Sequence, residues 1–89
     1  MQQAGTRYIS LSAAIINVLR ELGGKADINT VLVEVWRRYV GDGGPVKVTM
    51  RLYRHPSGYY WSPDAEEALE VLEAAGVVYR KGRMVVLRS

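Results

Sequence analysis

The chain has 89 residues, 48% of them hydrophobic, enough for one domain with one modest core and too few for a second. It has no cysteine, which excludes a disulfide framework, a thiolate zinc site and a cysteine nucleophile, leaves the core to packing alone and fits a reducing, cytoplasmic setting. The formal charge of +3 permits an anionic partner without requiring one, and nine arginines stand against three lysines, a bias that suits phosphates and stacked bases.

Residues 1–8 lack the apolar run of a secretory signal and read as a flexible start to the single domain expected over 1–89. The longest apolar stretch, residues 9–19, is interrupted by Ser10, Ser12 and Asn17 and is far short of the roughly 20 residues of a spanning helix. A soluble protein with no membrane partner is expected. Few Asn and Gln beside many arginines also suit a thermophilic protein.

From Ser10 onward, Leu11, Ala14, Ile15, Val18, Leu19 and Leu22 recur at the spacing of an amphipathic helix, expected over 10–22 and ended by Gly23 and Gly24. Asp27 or Asn29 can cap a second helix over 28–40, whose buried stripe would be Ile28, Val31, Leu32, Val35, Trp36 and Tyr39. Gly41-Asp42-Gly43-Gly44-Pro45 is a loop by composition. Residues 46–52 then alternate apolar and polar, His55-Pro56-Ser57-Gly58 supply turn residues, and Tyr59-Tyr60-Trp61 favour a strand, so 46–61 reads as a β-hairpin.

Ser62-Pro63-Asp64 marks the start of a third helix over 63–75, with Ala65, Ala68, Leu69, Leu72 and Ala75 inward and Gly76 at its close. Two apolar runs around Lys81-Gly82 make a second hairpin of residues 77–87. The fold class is therefore α+β, with three helices, a C-terminal β-hairpin and a further β-hairpin inserted before the third helix.

That order of elements, with the stretch Ala65-Glu66-Glu67-Ala68-Leu69-Glu70-Val71-Leu72-Glu73-Ala74-Ala75-Gly76-Val77-Val78-Tyr79-Arg80-Lys81-Gly82-Arg83, resembles the third helix and wing of the winged helix-turn-helix superfamily. The resemblance covers residues 10–87 as a pattern of elements. It implies a small winged-helix-like domain in which Gly24-Lys25-Ala26 is the short first strand, the third helix is the recognition helix and residues 80–83 are the wing tip. The chain departs from the family twice. Residues 41–61 separate the second and third helices, which the family joins by a tight turn. The outward face of the third helix carries Asp64, Glu66, Glu67, Glu70 and Glu73 with no basic residue, and phosphate rows repel such a face.

Cations elsewhere take over the candidate binding role. Lys47, Thr49, Arg51 and Tyr53 alternate on the solvent side of the first hairpin, with Arg54 and His55 at its end and Tyr59, Tyr60 and Trp61 opposite. Basic side chains interleaved with aromatics suit a phosphate backbone and stacked bases, and they equally suit an edge strand protected from aggregation by outward charge. Arg80, Lys81, Arg83 and Arg88 would let a wing ride along phosphates, or form an ordinary charged turn. Arg37 and Arg38 can join that surface or complement the helix dipole. Three basic clusters set against an acidic helix describe a polarised molecule.

His55 is the single histidine, and with no Cys or second His beside it a metal site is not expected. Turn and cap roles account for Ser57 and Ser62, so no triad can be assembled, and Gly41-Asp42-Gly43-Gly44 lacks the Lys and Ser/Thr of a P-loop. A non-enzymatic protein without cofactor is expected, binding nucleic acid, DNA above all, in an associated or transcription-regulatory role. The competing expectation is a protein-interaction adaptor that uses the acidic helix. Ile9, Ala13, Ile16, Val33 and Val40 lie off the main stripes, to pack on the inserted hairpin or to join two copies as a homodimer.

Overall fold

A computed structural model describes residues 5–41 and 44–88. Asp42 and Gly43 of the expected loop, and residues 1–4 of the expected N-terminal segment, lie outside the described residues. In chain order the elements are β1 (Arg7–Tyr8), α1 (Leu11–Glu21), β2 (Lys25–Asp27), α2 (Ile28–Val35), a wide π turn (Trp36–Val40), β3 (Val46–Lys47), β4 (Tyr53–Arg54), β5 (Tyr60–Trp61), α3 (Pro63–Ala74), β6 (Val78–Lys81) and β7 (Met84–Leu87). The class is α+β.

Each helix begins where a short polar side chain replaces the missing intrahelical acceptor. Ser10 accepts the Ala13 N–H at 3.1 Å, Asp27 accepts the Asn29 N–H at 2.7 Å, and Ser62 accepts the Ala65 N–H at 3.1 Å. Asp27 rather than Asn29 is thus the cap of α2. That leaves the Asn29 side-chain amide oxygen (Oδ1) to accept the Tyr60 N–H at 2.7 Å, which ties β5 to the start of α2. After α1 the chain reverses through Gly24, whose φ of +95° suits a residue without Cβ, and its N–H reaches the Leu19 carbonyl at 2.7 Å.

β2, β7 and β6 form an antiparallel sheet in that spatial order, with Ala26 opposite Val85 and Tyr79 opposite Val86. The two long strands turn at Gly82, with φ of +60°. The three helices close over this sheet. Ala14, Ile15, Val18 and Leu19 of α1 meet Val31, Leu32 and Val35 of α2, Ala65, Leu69 and Leu72 of α3, and Val78 and Val85 of the sheet, all buried.

The inserted hairpin precedes α3 but is shorter than the alternation of residues 46–52 predicts. Only β4 and β5 pair, Tyr53 with Trp61 and Arg54 with Tyr60. Residues 46–47 are drawn instead into a parallel ladder with β1, Arg7 opposite Val46 and Tyr8 opposite Lys47. Between the two ladders the chain stays extended. Val48 and Met50 point into the core while Thr49 and Arg51 face out, so the alternation sorts side chains without a hydrogen-bonded neighbour strand. Arg7 and Tyr8 fall in the segment that the sequence predicts to be flexible, and here they are strand.

Trp36 is a correction. The helical stripe predicts it in the core, yet 38% of it is exposed. At 3.6 residues per turn it lies on the flank of the stripe centred on Ile28, Leu32 and Val35, the flank that faces the inserted hairpin. Ala75 is likewise exposed, standing at the C-terminal cap of its helix. Ile9, Ile16 and Val40 are half-buried against their own core, and Val33, also half-buried, faces the hairpin.

Candidate functional site

The inserted hairpin has two faces because strand side chains alternate. On its outer face Tyr53 stacks on Trp61 with ring centres 5.1 Å apart, and His55 stacks on Tyr59 at 4.7 Å with planes 6° apart. Tyr53 and Trp61 are each 45% exposed, so this row of rings lies open to solvent. On the inner face Arg54 sits over the Tyr60 ring, 6.0 Å from its centre. The tip is held by His55, whose Nδ1 accepts the Ser57 N–H at 3.1 Å and lies 2.8 Å from the Ser57 hydroxyl. This is a turn staple, with no carboxylate of the described residues bonded to the ring.

The turn between β6 and β7 reaches the same tip. Arg83 lies over the Tyr59 ring at 5.4 Å, while its carbonyl accepts the Ile28 N–H at 2.7 Å. Arg83 thereby caps the His55–Tyr59 pair, and strand alternation puts the Tyr53–Trp61 pair on the same face of the hairpin.

Most of the cations singled out in the sequence have carboxylate partners. Arg80 pairs with Glu66 at 2.8 Å, Arg83 with Asp27 at 3.3 Å and Arg51 with Asp64 at 2.9 Å. Arg37 and Arg38 share Glu34 at 2.7 and 2.9 Å, and Arg38 also pairs with Glu21. Arg54, Lys81 and Lys47 have no carboxylate partner among the described residues; the first two are exposed and Lys47 is half-buried beside Tyr8.

The pairs shift proton affinities as expected. The Arg51 guanidinium, helped by the Arg51 backbone N–H at 2.7 Å, holds the Asp64 carboxyl below its ordinary value. Hydrogen bonding from Arg37 lowers Glu34, and Glu66 raises Arg80.

A groove that the sequence does not reveal runs between the inner face of the hairpin and the end of α2. Val33, Trp36 and Arg37 form one wall, Leu52, Arg54 and Tyr60 the other, with Gly41 at one end. Spacings of three and four in a helix and of two in a strand put each trio on one side of its element. What the sequence lacks is any sign that these two sides face each other. That depends on the Asn29–Tyr60 bond, which joins residues far apart in the chain.

Among the described residues no group of three His, Cys, Asp or Glu side chains is placed to hold a metal ion, and no helix is long and apolar enough to cross a membrane. No protein-family model, curated protein or solved structure matches the chain.

Proposed function

We propose that this protein is a nucleic-acid-binding module of the cytoplasm, DNA-associated or regulatory, built on a winged-helix scaffold and without catalytic activity. The observation that carries the reading is the meeting of the two hairpin tips, where Arg83 covers Tyr59 and the stacked rings of His55, Tyr53 and Trp61 lie on the same face of the hairpin. Exposed rings offer stacking faces to bases, and Lys81, Arg54 and Arg83 offer charge to phosphates. The scaffold part rests on the order helix, short strand, helix, helix, hairpin, with β2 added to the edge of the C-terminal pair.

The internal ion pairs refine which cations serve. Arg83 is held by a carboxylate at the surface, where such a pair contributes little and a phosphate can take the carboxylate's place, whereas Arg51 is tied to Asp64 through both backbone and side chain and serves the fold first. Arg80 is more enclosed and braces α3 against β6, so its role is structural first. One copy of the chain serves as the binding unit, since Ile9, Ile16 and Val40 already pack on their own core.

The adaptor reading has one observation in its favour. Val71 is 59% exposed on α3 among Glu67, Glu70 and Glu73, an apolar point in an acidic surface of the kind a basic protein partner would cover.

Fluorescence anisotropy of labelled DNA and RNA at two salt concentrations separates the two. Binding that weakens steeply with salt, and weakens on every sequence alike when Lys81, Arg83 and Arg54 are changed to Ala, is the expected result. No binding to either nucleic acid at low salt would set the adaptor reading in its place.

A further inference from the structure

The groove between α2 and the inserted hairpin adds something the outer row of rings does not. Val33 and Leu52 give each wall an apolar part, and each wall also carries one aromatic ring and one cation, Trp36 and Arg37 on the π turn that continues α2, Tyr60 and Arg54 on the hairpin. Its volume of about 790 Å³ lies within the range of small-molecule clefts, and it is open toward solvent. The Arg37 side chain is 64% exposed although it touches Glu34, and Arg54 has no carboxylate partner among the described residues. The groove is also pre-formed, because the Asn29 side chain holds the Tyr60 backbone against the start of α2.

We infer that this groove is the seat for one unpaired base of a single-stranded nucleic acid, the base lying against Trp36 and Tyr60 and its flanking phosphates meeting Arg37 and Arg54. The inference rests on the nucleic-acid reading above and sharpens it. A base still inside a duplex is stacked on both faces and cannot also lie against Trp36 and Tyr60, so the seat selects single strands. Aromatic rings on opposing walls serve a flat π face, and a cation on each wall serves a ligand with negative charge on both sides of that face.

The wide turn that follows α2 is part of the same construction. Its closing bond, from the Gly41 N–H to the Trp36 carbonyl at 2.8 Å, brings Gly41 beneath the indole, where a Cβ at position 41 would stand 3.0 Å from the ring nitrogen. Turns of this width are uncommon and gather at functional sites.

The test uses the full chain carrying Trp61→Phe, which keeps a ring against Tyr53 and leaves Trp36 as the sole tryptophan. Its emission is followed while oligothymidylate, oligouridylate and a DNA duplex of equal length are titrated in at low salt. Quenching by single strands and not by the duplex is expected, and the stronger of the two single strands tells DNA from RNA as the natural source. Trp36→Leu should lower single-strand affinity on the order of tenfold and duplex affinity hardly at all, with Trp36→Phe restoring most of it. Binding of both forms without a change in Trp36 emission, or with Trp36→Leu indistinguishable from the parent, overturns the seat and leaves the broader reading standing. Absence of binding to every probe overturns both. If circular dichroism shows Trp36→Leu unfolded, the emission titration decides alone.

Discussion

Asp64 shows how one side chain can settle the role of another. Its carboxylate takes both the backbone N–H and the guanidinium of Arg51, fixing the extended segment to the start of α3. A carboxyl held below its unfolded-state value stabilises the fold fully above that value, and the contribution disappears as pH falls through the folded-state value. Thermal unfolding followed from neutral pH down to below about 3.9, the ordinary Asp value, should therefore show a fall in midpoint that is smaller in Asp64→Asn, which should already be less stable at neutral pH. Equal acid sensitivity in the two proteins would show that Asp64 adds nothing. Gly41 makes the opposite case. Its φ of −85° is open to any residue, so Gly41→Ala should change stability by less than about 1 kcal/mol while moving the Trp36 indole, a shift visible in Trp36 emission once Trp61 is Phe.

Among the elements, α3 packs through Ala65, Leu69 and Leu72 and is closed by the Val77 N–H on the Leu72 carbonyl at 2.9 Å. Leu69→Ala should cost about 2–5 kcal/mol in denaturant unfolding, and a cost under about 1 kcal/mol would mean that the helix is not part of the core. Helices of this kind are legible in a sequence because their information is local. The caps at Ser10 and Ser62 and the stripe of α1 lie within a few residues of what they specify, and so does the β6–β7 hairpin. β1 and β3 are not legible, since a parallel pair between remote two-residue segments leaves no periodic trace in either. Nor is the fate of the cations, because Arg80–Glu66 and Arg83–Asp27 join residues that only the folded chain brings together. The hairpin rings are an intermediate case: positions 53, 55, 59 and 61 share a face by strand alternation once the turn is placed, although the alternation of residues 46–52 points to one longer ladder that does not form.

Taken whole, the molecule carries its densest exposed acids on α3 and its stacked rings on the inserted hairpin. Glu67, Glu70 and Glu73 are exposed on α3, while the stacked rings of Tyr53, His55, Tyr59 and Trp61 and the exposed cations Arg54 and Lys81 belong to the two hairpins. Replacing those three glutamates by Gln should leave nucleic-acid affinity unchanged or raise it, as measured by anisotropy at fixed salt, because it removes repulsion without touching the binding surface. Changing Lys81 and Arg54 to Ala should flatten the slope of log affinity against log salt by up to about 0.9 for each duplex phosphate that is no longer neutralised. The parallel ladder between β1 and β3 has a consequence of another kind. The Arg7 N–H meets the Pro45 carbonyl at 2.8 Å and the Ile9 N–H meets the Lys47 carbonyl at 3.0 Å, and between these ends lie α1, β2 and α2. Closing so long a loop for a few hydrogen bonds is favourable only after the enclosed helices have condensed. The clasp therefore forms late on the folding pathway and opens early on the way back, so changes confined to it alter how fast the protein comes apart and leave the speed at which it assembles nearly untouched.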